Sequence, residues 1–226
     1  SKSIFIESLM FMLQIEAHRV DVRGFDIPKG AGIGFYTNMN MNFLGIVGLV
    51  ARDADLGDIQ QLMYSFLAYT HSKEKAGNER ALGSTPFAKK VWNPTSYSKF
   101  VKVIAMQDTH DYFFETFATP VNIKFRDDTM LLDKCVQVHY RMRKLALDDL
   151  SPEEYAPYTG SMWFHNETCK IDLQRIIEDH IAQELQTEAQ GIVNSSTSGM
   201  ILVVSTLAVV LISNGLAIMG IAATTQ

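Results

Sequence analysis

The feature that most constrains the fold is a long helix-like segment, residues 60–83, whose apolar face also carries charged residues. Steps of three and four lead from Phe66 to Lys73 and Arg80, which places these side chains on one side of an α-helix. A charge on a core-facing stripe must be paired or must hold a ligand, because an isolated buried charge is costly. The spacing allows either an internal ion pair, for example of Lys73 with Glu79 or Glu16, or a binding site.

Helical periodicity recurs along the whole chain, and no segment shows the alternation of a convincing β-strand. Glycine and proline separate the periodic segments, and one separating stretch, residues 26–34, reads as a glycine-rich loop. We therefore expect an all-α fold of long antiparallel helices packed as a bundle. The predicted helices cover residues 3–23, 39–53, 58–83, 96–117, 121–147 and a last segment from 151 past 185.

The first predicted helix repeats the pattern of the third. Phe5, Leu9 and Met12 form an apolar stripe that continues, at the same spacing, into Glu16 and Arg19. Two helices of the chain thus carry an apolar face that turns charged toward its C-terminal end.

The C-terminal part of the chain, from Gly191 to Gln226, contains no charged residue. Residues 199–223 are strongly apolar, and about 20 such residues suffice to span a bilayer as a helix. We therefore predict a transmembrane helix over 199–223, with a juxtamembrane linker over 191–198, and we expect the last helix to continue almost unbroken into it. A buried core helix and a GPI-anchor signal are the alternatives.

The orientation follows from weaker signals. Acidic rather than basic residues precede the apolar segment, which favours a cell-membrane location with residues 1–198 extracellular or periplasmic. Asn166 begins a glycosylation sequon, which agrees with that side of the membrane.

Composition excludes several classes of site. The net charge of −5 leaves no basic footprint, so we expect no nucleic acid partner. Two cysteines are too few for a thiolate zinc cluster, and the histidines share no ligand spacing, so we expect no metal. Because catalytic and cofactor-binding motifs are absent, we expect neither a cofactor nor an enzyme activity within this segment.

Cys135 and Cys169 fall on neighbouring predicted helices. In an oxidising compartment they could form a disulfide that closes a loop of about 35 residues. Two unrelated buried thiols are the alternative.

Residues 60–85 resemble the signature helix of the NIT family, the nitrate- and nitrite-sensing domains, through the run Lys73-Glu-Lys-Ala-Gly-Asn-Glu-Arg-Ala81. Leu13-Gln-Ile-Glu16 resembles that family's opening helix. Three runs resemble its closing helix: Leu150-Ser-Pro-Glu-Glu-Tyr155, Ser161-Met-Trp-Phe164 and Lys170-Ile-Asp-Leu-Gln-Arg175. Together these segments extend over nearly all of residues 1–190.

The resemblance implies an all-helical sensor domain over residues 1–190, built from two packed four-helix bundles that share long helices. It also implies a small-anion site lined by arginines between helices. Arg80 matches the motif arginine of the family, whereas the arginine that usually follows the glutamate of the opening helix is Ala17 here. The candidate ligand-binding residues are Arg80, Lys73, Arg19 and Glu16.

Two functions stay open, and we expect a homodimer in both. The first is the sensing region of a membrane receptor that binds nitrate or nitrite and transmits a conformational change across the membrane. An output domain, such as a nucleotide cyclase or a kinase, would then follow Gln226. The second is a helical dimerisation or partner-binding module that has lost anion binding.

Overall fold

The computed structural model describes residues 2–53, 57–148 and 156–195. The secondary-structure elements in these ranges are α-helices joined by turns, with no strand, which confirms the all-α prediction. The helices are α1 (Lys2–Gly24), α2 (Lys29–Asp53), α3 (Asp58–Lys89), α4 (Pro94–Phe117), α5 (Pro120–Met130), α6 (Lys134–Leu147) and α7 (Gly160–Ser195).

The predicted transmembrane helix, residues 199–223, lies outside the described residues. Within the described ranges, no helix combines the length and the apolar character that crossing a bilayer requires. The end of α7 is helical through Ser195, into the segment predicted as a linker.

Several helix boundaries differ from the predicted ones. The glycine-rich stretch predicted as a loop belongs to α2, which begins at Lys29 directly after Pro28. The predicted fifth helix is divided into α5 and α6, because Asp133 caps a new helix start: its carboxylate accepts a hydrogen bond from the backbone N–H of Cys135 at 2.8 Å. The glycine-rich stretch is therefore helical despite its composition. The division between α5 and α6 depends on the Asp133 cap, which helical periodicity does not reveal.

The chain divides into two compact units. The first contains the described parts of Ser1–Met63 and Glu184–Gln226. Its core lies between α1 and α2, with Tyr36, Met39, Phe43 and Ile46 buried against apolar side chains of α1, among them Ile4, Phe11 and Ile15. The stripe of Phe5, Leu9 and Met12 is not part of that core, since its side chains are 62%, 50% and 40% exposed.

The second unit is Tyr64–Gln183. Its apolar core brings together Phe87, Phe100, Ile104, Met142, Ala146 and Trp163. The Trp163 indole stacks on Phe87 with ring centroids 4.7 Å apart, and its Nε1–H donates to the backbone carbonyl of Arg80 at 3.1 Å. A β-carbon at Gly83 would overlap this indole. Gly83 therefore provides room for Trp163, and it does not end α3 as predicted, since that helix continues to Lys89.

A disulfide joins Cys135, in the first turn of α6, to Cys169, in the third turn of α7, with Cα atoms 6.2 Å apart. Closing a loop of this length stabilises the fold by about 3–4 kcal/mol in the chain-entropy model. Asn166, one turn earlier on α7, is only 9% exposed, and its side-chain amide donates to the carbonyl of Met162 at 2.7 Å. The sequon nitrogen is thus turned into the fold, and a glycan on it would require this turn to open.

Candidate functional site

The charged stretch of α3 is buried inside the second unit. Lys73, Glu79 and Arg80 are 6%, 0% and 8% exposed. Because a buried charge needs a compensating partner, the contacts of these three side chains decide which of them is available to a ligand.

Lys73 is paired within the protein. Its ammonium donates to the carboxylate of Glu178 on α7, which also accepts a hydrogen bond from the hydroxyl of Thr70 at 2.8 Å. Lys73 therefore forms an internal ion pair of the kind considered from the sequence, but its partner is Glu178 rather than Glu79.

Glu79 is held by two other helices. Its carboxylate accepts Nε–H of Arg143 at 2.8 Å and a second bond from Nη2 of the same guanidinium, and it also accepts the amide of Gln107. Burial by itself would lower the pKa of Arg143, but the adjacent Glu79 carboxylate raises it well above its ordinary value. This bidentate pair connects α3 to α6, and Gln107 adds α4.

The network continues to α7 through Lys170. Its ammonium donates to Gln107 at 3.0 Å and to Glu167 at 3.3 Å, and it lies 3.3 Å from Nε2 of His139. Desolvation lowers the pKa of His139, which favours the neutral ring, and its Nδ1 lies in close contact with the Glu167 carboxylate. Burial disfavours ionised Glu167, but His139 and Lys170 outweigh that effect and lower its pKa to about 2.

Part of this network has the composition of a metal site. Glu79, His139 and Glu167 are fully buried, and their ligand atoms lie within 4.8 Å of one another. However, Arg143 and Lys170 already balance the two carboxylates, so a divalent ion would have to displace an ammonium that is itself buried. The arrangement therefore suits an internal ion-pair network better than metal coordination.

Arg80 differs from its neighbours. One nitrogen, Nη1, donates to the hydroxyl of Thr168 on α7 at 3.0 Å, and the guanidinium lies over the Phe164 ring, 4.7 Å from its centroid. Among the described residues, no carboxylate lies within 4.0 Å of the guanidinium nitrogens. Burial lowers the pKa of Arg80, and Glu167 and Asp172 only partly oppose that effect from a distance. Arg80 is thus a buried cation without a direct counter-ion.

The helix face beside Arg80 has room. Gly77 lies three residues earlier on α3, and residues at that spacing share a face. A β-carbon built on Gly77 meets no other atom within 4 Å. A small group could therefore approach α3 next to the Arg80 guanidinium.

The two remaining candidates belong to the first unit. Arg19 pairs with Glu16 one turn away on α1, and the Glu16 side chain is 71% exposed. Exposed pairs of this kind contribute little to stability because water screens them. A groove of about 530 Å³ in the same unit has Glu7 among its lining residues but neither lysine nor arginine, so it is poorly suited to an anion.

Five side chains of the second unit were not predicted as part of a site. Thr168, Glu167 and Lys170 lie within one turn of α7, and His139 and Arg143 lie one turn apart on α6. Their spacing of three or four residues on otherwise buried faces was the available signal. It could not indicate which charges are paired with each other, since that depends on how α3, α4, α6 and α7 pack.

Comparisons with known proteins show the family to which the chain belongs and two proteins to which it is similar. The model of the NIT family, described as "Nitrate and nitrite sensing", matches residues 5–186. The nitrate regulatory protein of Klebsiella oxytoca is 23% identical over 186 residues, which are 82% of this chain and 46% of that protein. The structure of the NasR transcription antiterminator has a TM-score of 0.71 at 20% identity, covering 96% of this chain and 61% of that one. The chain spans less than two thirds of either relative, and the structural likeness shows the fold alone.

These findings correct the predicted membrane receptor and the predicted cell-membrane location with residues 1–198 outside. Both predictions are wrong by this comparison, because the similar proteins are named as a nitrate regulatory protein and a transcription antiterminator. The error has a physical origin. Both predictions depended on the apolar stretch 199–223, and apolar character measures the tendency to leave water without specifying the surface that receives the segment.

Proposed function

We propose, from the premise that this chain belongs to the NIT family of nitrate- and nitrite-sensing domains, that it binds a small planar oxyanion such as nitrate or nitrite at Arg80. The observation that carries the proposal is the guanidinium of Arg80, which is buried and has no carboxylate partner among the residues that the structure describes. Lys73 and Arg143, the neighbouring buried cations, each have a carboxylate partner.

Charge balance supports this assignment. The buried side chains in the ion pairs of this unit are three carboxylates, Glu79, Glu167 and Glu178, and three cations, Lys73, Arg143 and Lys170; the exposed Asp108 also lies 3.8 Å from Arg143. Arg80 is additional to this balanced set. An anion at 4 Å from a guanidinium is attracted by about 4 kcal/mol at an effective dielectric constant of about 20. A bound anion would therefore supply the compensation that Arg80 lacks.

The geometry of the donor suits nitrate. A guanidinium carries five N–H donors in one plane, and the Thr168 hydroxyl accepts a bond from only one nitrogen. Paired, coplanar donors match a planar oxyanion better than the single ammonium of a lysine does. The open space beside Gly77 supplies room on the same helix face.

Binding at this position would be coupled to the packing of two helices. Arg80 belongs to α3, and its present contacts, Thr168 and Phe164, belong to α7. An anion bound to the N–H donors that Thr168 does not use would add a charge-assisted contact at this junction of α3 and α7, and this differential interaction is what shifts an equilibrium between two states. We infer that this shift makes the domain a regulatory input, in keeping with its similarity to the nitrate regulatory protein.

Thermal unfolding tests the ligand class. A ligand that binds only the folded state at about 100 times its dissociation constant stabilises it by roughly 2.7 kcal/mol. We expect nitrate and nitrite to raise the melting temperature saturably, and sulfate, which is tetrahedral and doubly charged, to do so less. The matched control for Arg80→Ala is Arg175→Ala, which removes a half-exposed arginine of the same unit. This control should keep the rise in melting temperature with nitrate. Equal shifts with every anion would contradict a specific site.

A second candidate function, a dimerisation module, is favoured by the outer face of α1. Ile6, Leu13 and Val20 recur every seven residues, Leu9 follows Ile6 by three, and all four are at least half exposed. Such a seam buries its apolar surface when two helices pair, so we propose that a second copy of the chain covers it. Sedimentation should show a dimer that Leu13→Lys dissociates. A dimer without any anion response would leave the module as the function.

A further inference from the structure

The Cys135–Cys169 disulfide is attached to the turn of α7 that holds Arg80. Cys169 stands between Thr168, whose hydroxyl accepts the bond from Arg80, and Lys170, whose ammonium belongs to the buried network. A single covalent bond therefore fixes the turn that presents Thr168 to the guanidinium.

The other end of the bond anchors the start of α6. Cys135 lies one turn before His139, which faces Glu167 and contacts the ammonium of Lys170 on α7. The contact of His139 with Lys170 is a hydrogen bond between buried polar groups, and such bonds weaken steeply when their geometry is distorted. The network and the Thr168 contact thus depend on one register between α6 and α7, which the disulfide enforces.

The bond is accessible to a reductant. Both cysteines are partly exposed, and the segment immediately before α6 is open to solvent, with Leu131 and Leu132 63% and 84% exposed. That segment interrupts the chain between α5 and α6, so the first turn of α6 is not continuous with the helix before it. Without the disulfide, this turn would be held only by its Asp133 cap and by side-chain contacts.

We propose that this disulfide makes anion affinity depend on the thiol–disulfide state, a regulation that rests on the proposed anion site at Arg80. In the oxidised form, Thr168 is held against Arg80, and the guanidinium is oriented before the ligand arrives. On reduction, the thiolate of a dithiol attacks one sulfur of the protein disulfide and forms a mixed disulfide with it. The second thiol of the reductant then attacks this mixed disulfide and releases the cysteine as a thiol. Cys135 and Cys169 become two thiols, and the dithiol, which supplies two electrons and two protons, becomes a cyclic disulfide. The orientation of Arg80 is then lost and affinity falls.

Calorimetric titration of the whole chain with nitrate tests this, before and after reduction with dithiothreitol, with free thiols counted in each sample. We expect affinity to fall by at least about fivefold on reduction, the lower end of typical couplings between sites, and to return on reoxidation. The double variant Cys135→Ser with Cys169→Ser should have the affinity of the reduced protein and should not respond to dithiothreitol. Circular dichroism on the same samples should show unchanged helix content.

Three results would overturn the proposal in distinguishable ways. Equal nitrate affinity in the oxidised and reduced protein would refute the regulation and leave the anion site intact. Loss of helix content on reduction would show that the bond only holds the fold together. Absence of nitrate binding by the oxidised protein would refute the proposed function itself, and the regulation with it.

Discussion

Replacing Glu79 by glutamine tests whether the buried network is as tightly compensated as its contacts indicate. The carboxylate of Glu79 is fully buried and accepts two bonds from Arg143 and one from Gln107. Glutamine keeps the shape of the side chain but removes the charge and directs an N–H₂ group at a guanidinium donor. The Arg143 cation, about 8% exposed, is then left without its main counter-ion.

The magnitude follows from that loss. Removing one partner of a buried ion pair costs about 3–5 kcal/mol, because the other charge stays buried without compensation. For a chain of this size each kcal/mol lowers the melting temperature by about 2–4 °C, so Glu79→Gln should melt about 6–20 °C lower. Adding Arg143→Met removes the orphaned charge, and the double variant should be less destabilised than Glu79→Gln alone.

Urea unfolding, followed by circular dichroism, measures these free energies. The control is Lys124→Gln, which breaks a pair with Asp128 whose side chains are 74% and 65% exposed, and which should cost less than about 1 kcal/mol. The network as described would be refuted if Glu79→Gln lowered the free energy of unfolding by less than about 1 kcal/mol. It would also be refuted if the double variant were less stable than Glu79→Gln alone.

Two further predictions concern the second unit. Burial, and after it repulsion from His110 and Lys75, lowers the pKa of His71 from 6.5 to about 4. Between pH 6.5 and about 4 the imidazole takes up a proton in the unfolded chain but not in the folded one. The free energy of unfolding should therefore fall as the pH falls through this range, by about 3 kcal/mol in total at roughly 1.4 kcal/mol per pH unit. Urea titrations of His71→Gln should show a shallower pH dependence, and an unchanged one would contradict this. Gly83→Ala should destabilise by about 1–3 kcal/mol because its β-carbon overlaps the Trp163 indole. Gly191→Ala, where a β-carbon meets nothing within 4 Å, should gain about 0.5–1 kcal/mol, and equal effects of the two substitutions would refute the packing argument.

Local patterns in the sequence were sufficient for the helices and for the charged face of α3. Steps of three and four placed Phe66, Lys73 and Arg80 on one side of a helix, and all three are buried. The break between α5 and α6 was not predicted, because it depends on a single capping carboxylate, Asp133, inside an otherwise helical pattern. Likewise, Gly83 looked like a helix end, but its role is to admit the Trp163 indole, which comes from a distant part of the chain.

The pairing of charges could not be predicted. Lys73 and Arg80 are similar in sequence terms, yet Lys73 meets Glu178, 105 residues away, whereas the guanidinium of Arg80 meets, in the described part of the chain, a hydroxyl and an aromatic ring. Which buried cation lacks a counter-ion is decided by the register of α3 against α7, and register is a tertiary property. The same limit applies to α1. Periodicity identified an apolar stripe on this helix, but it could not show that the stripe lies outside the core between α1 and α2.

The most direct test of the anion site is isothermal titration of the chain with nitrate, beside Arg80→Ala and the control Arg175→Ala. The account predicts saturable binding by the unchanged chain and by Arg175→Ala, and none that can be measured with Arg80→Ala, whose helix content should be unaltered. Nitrate binding that survives in Arg80→Ala, or that is absent from the unchanged chain, would contradict the assignment of the anion to this buried guanidinium.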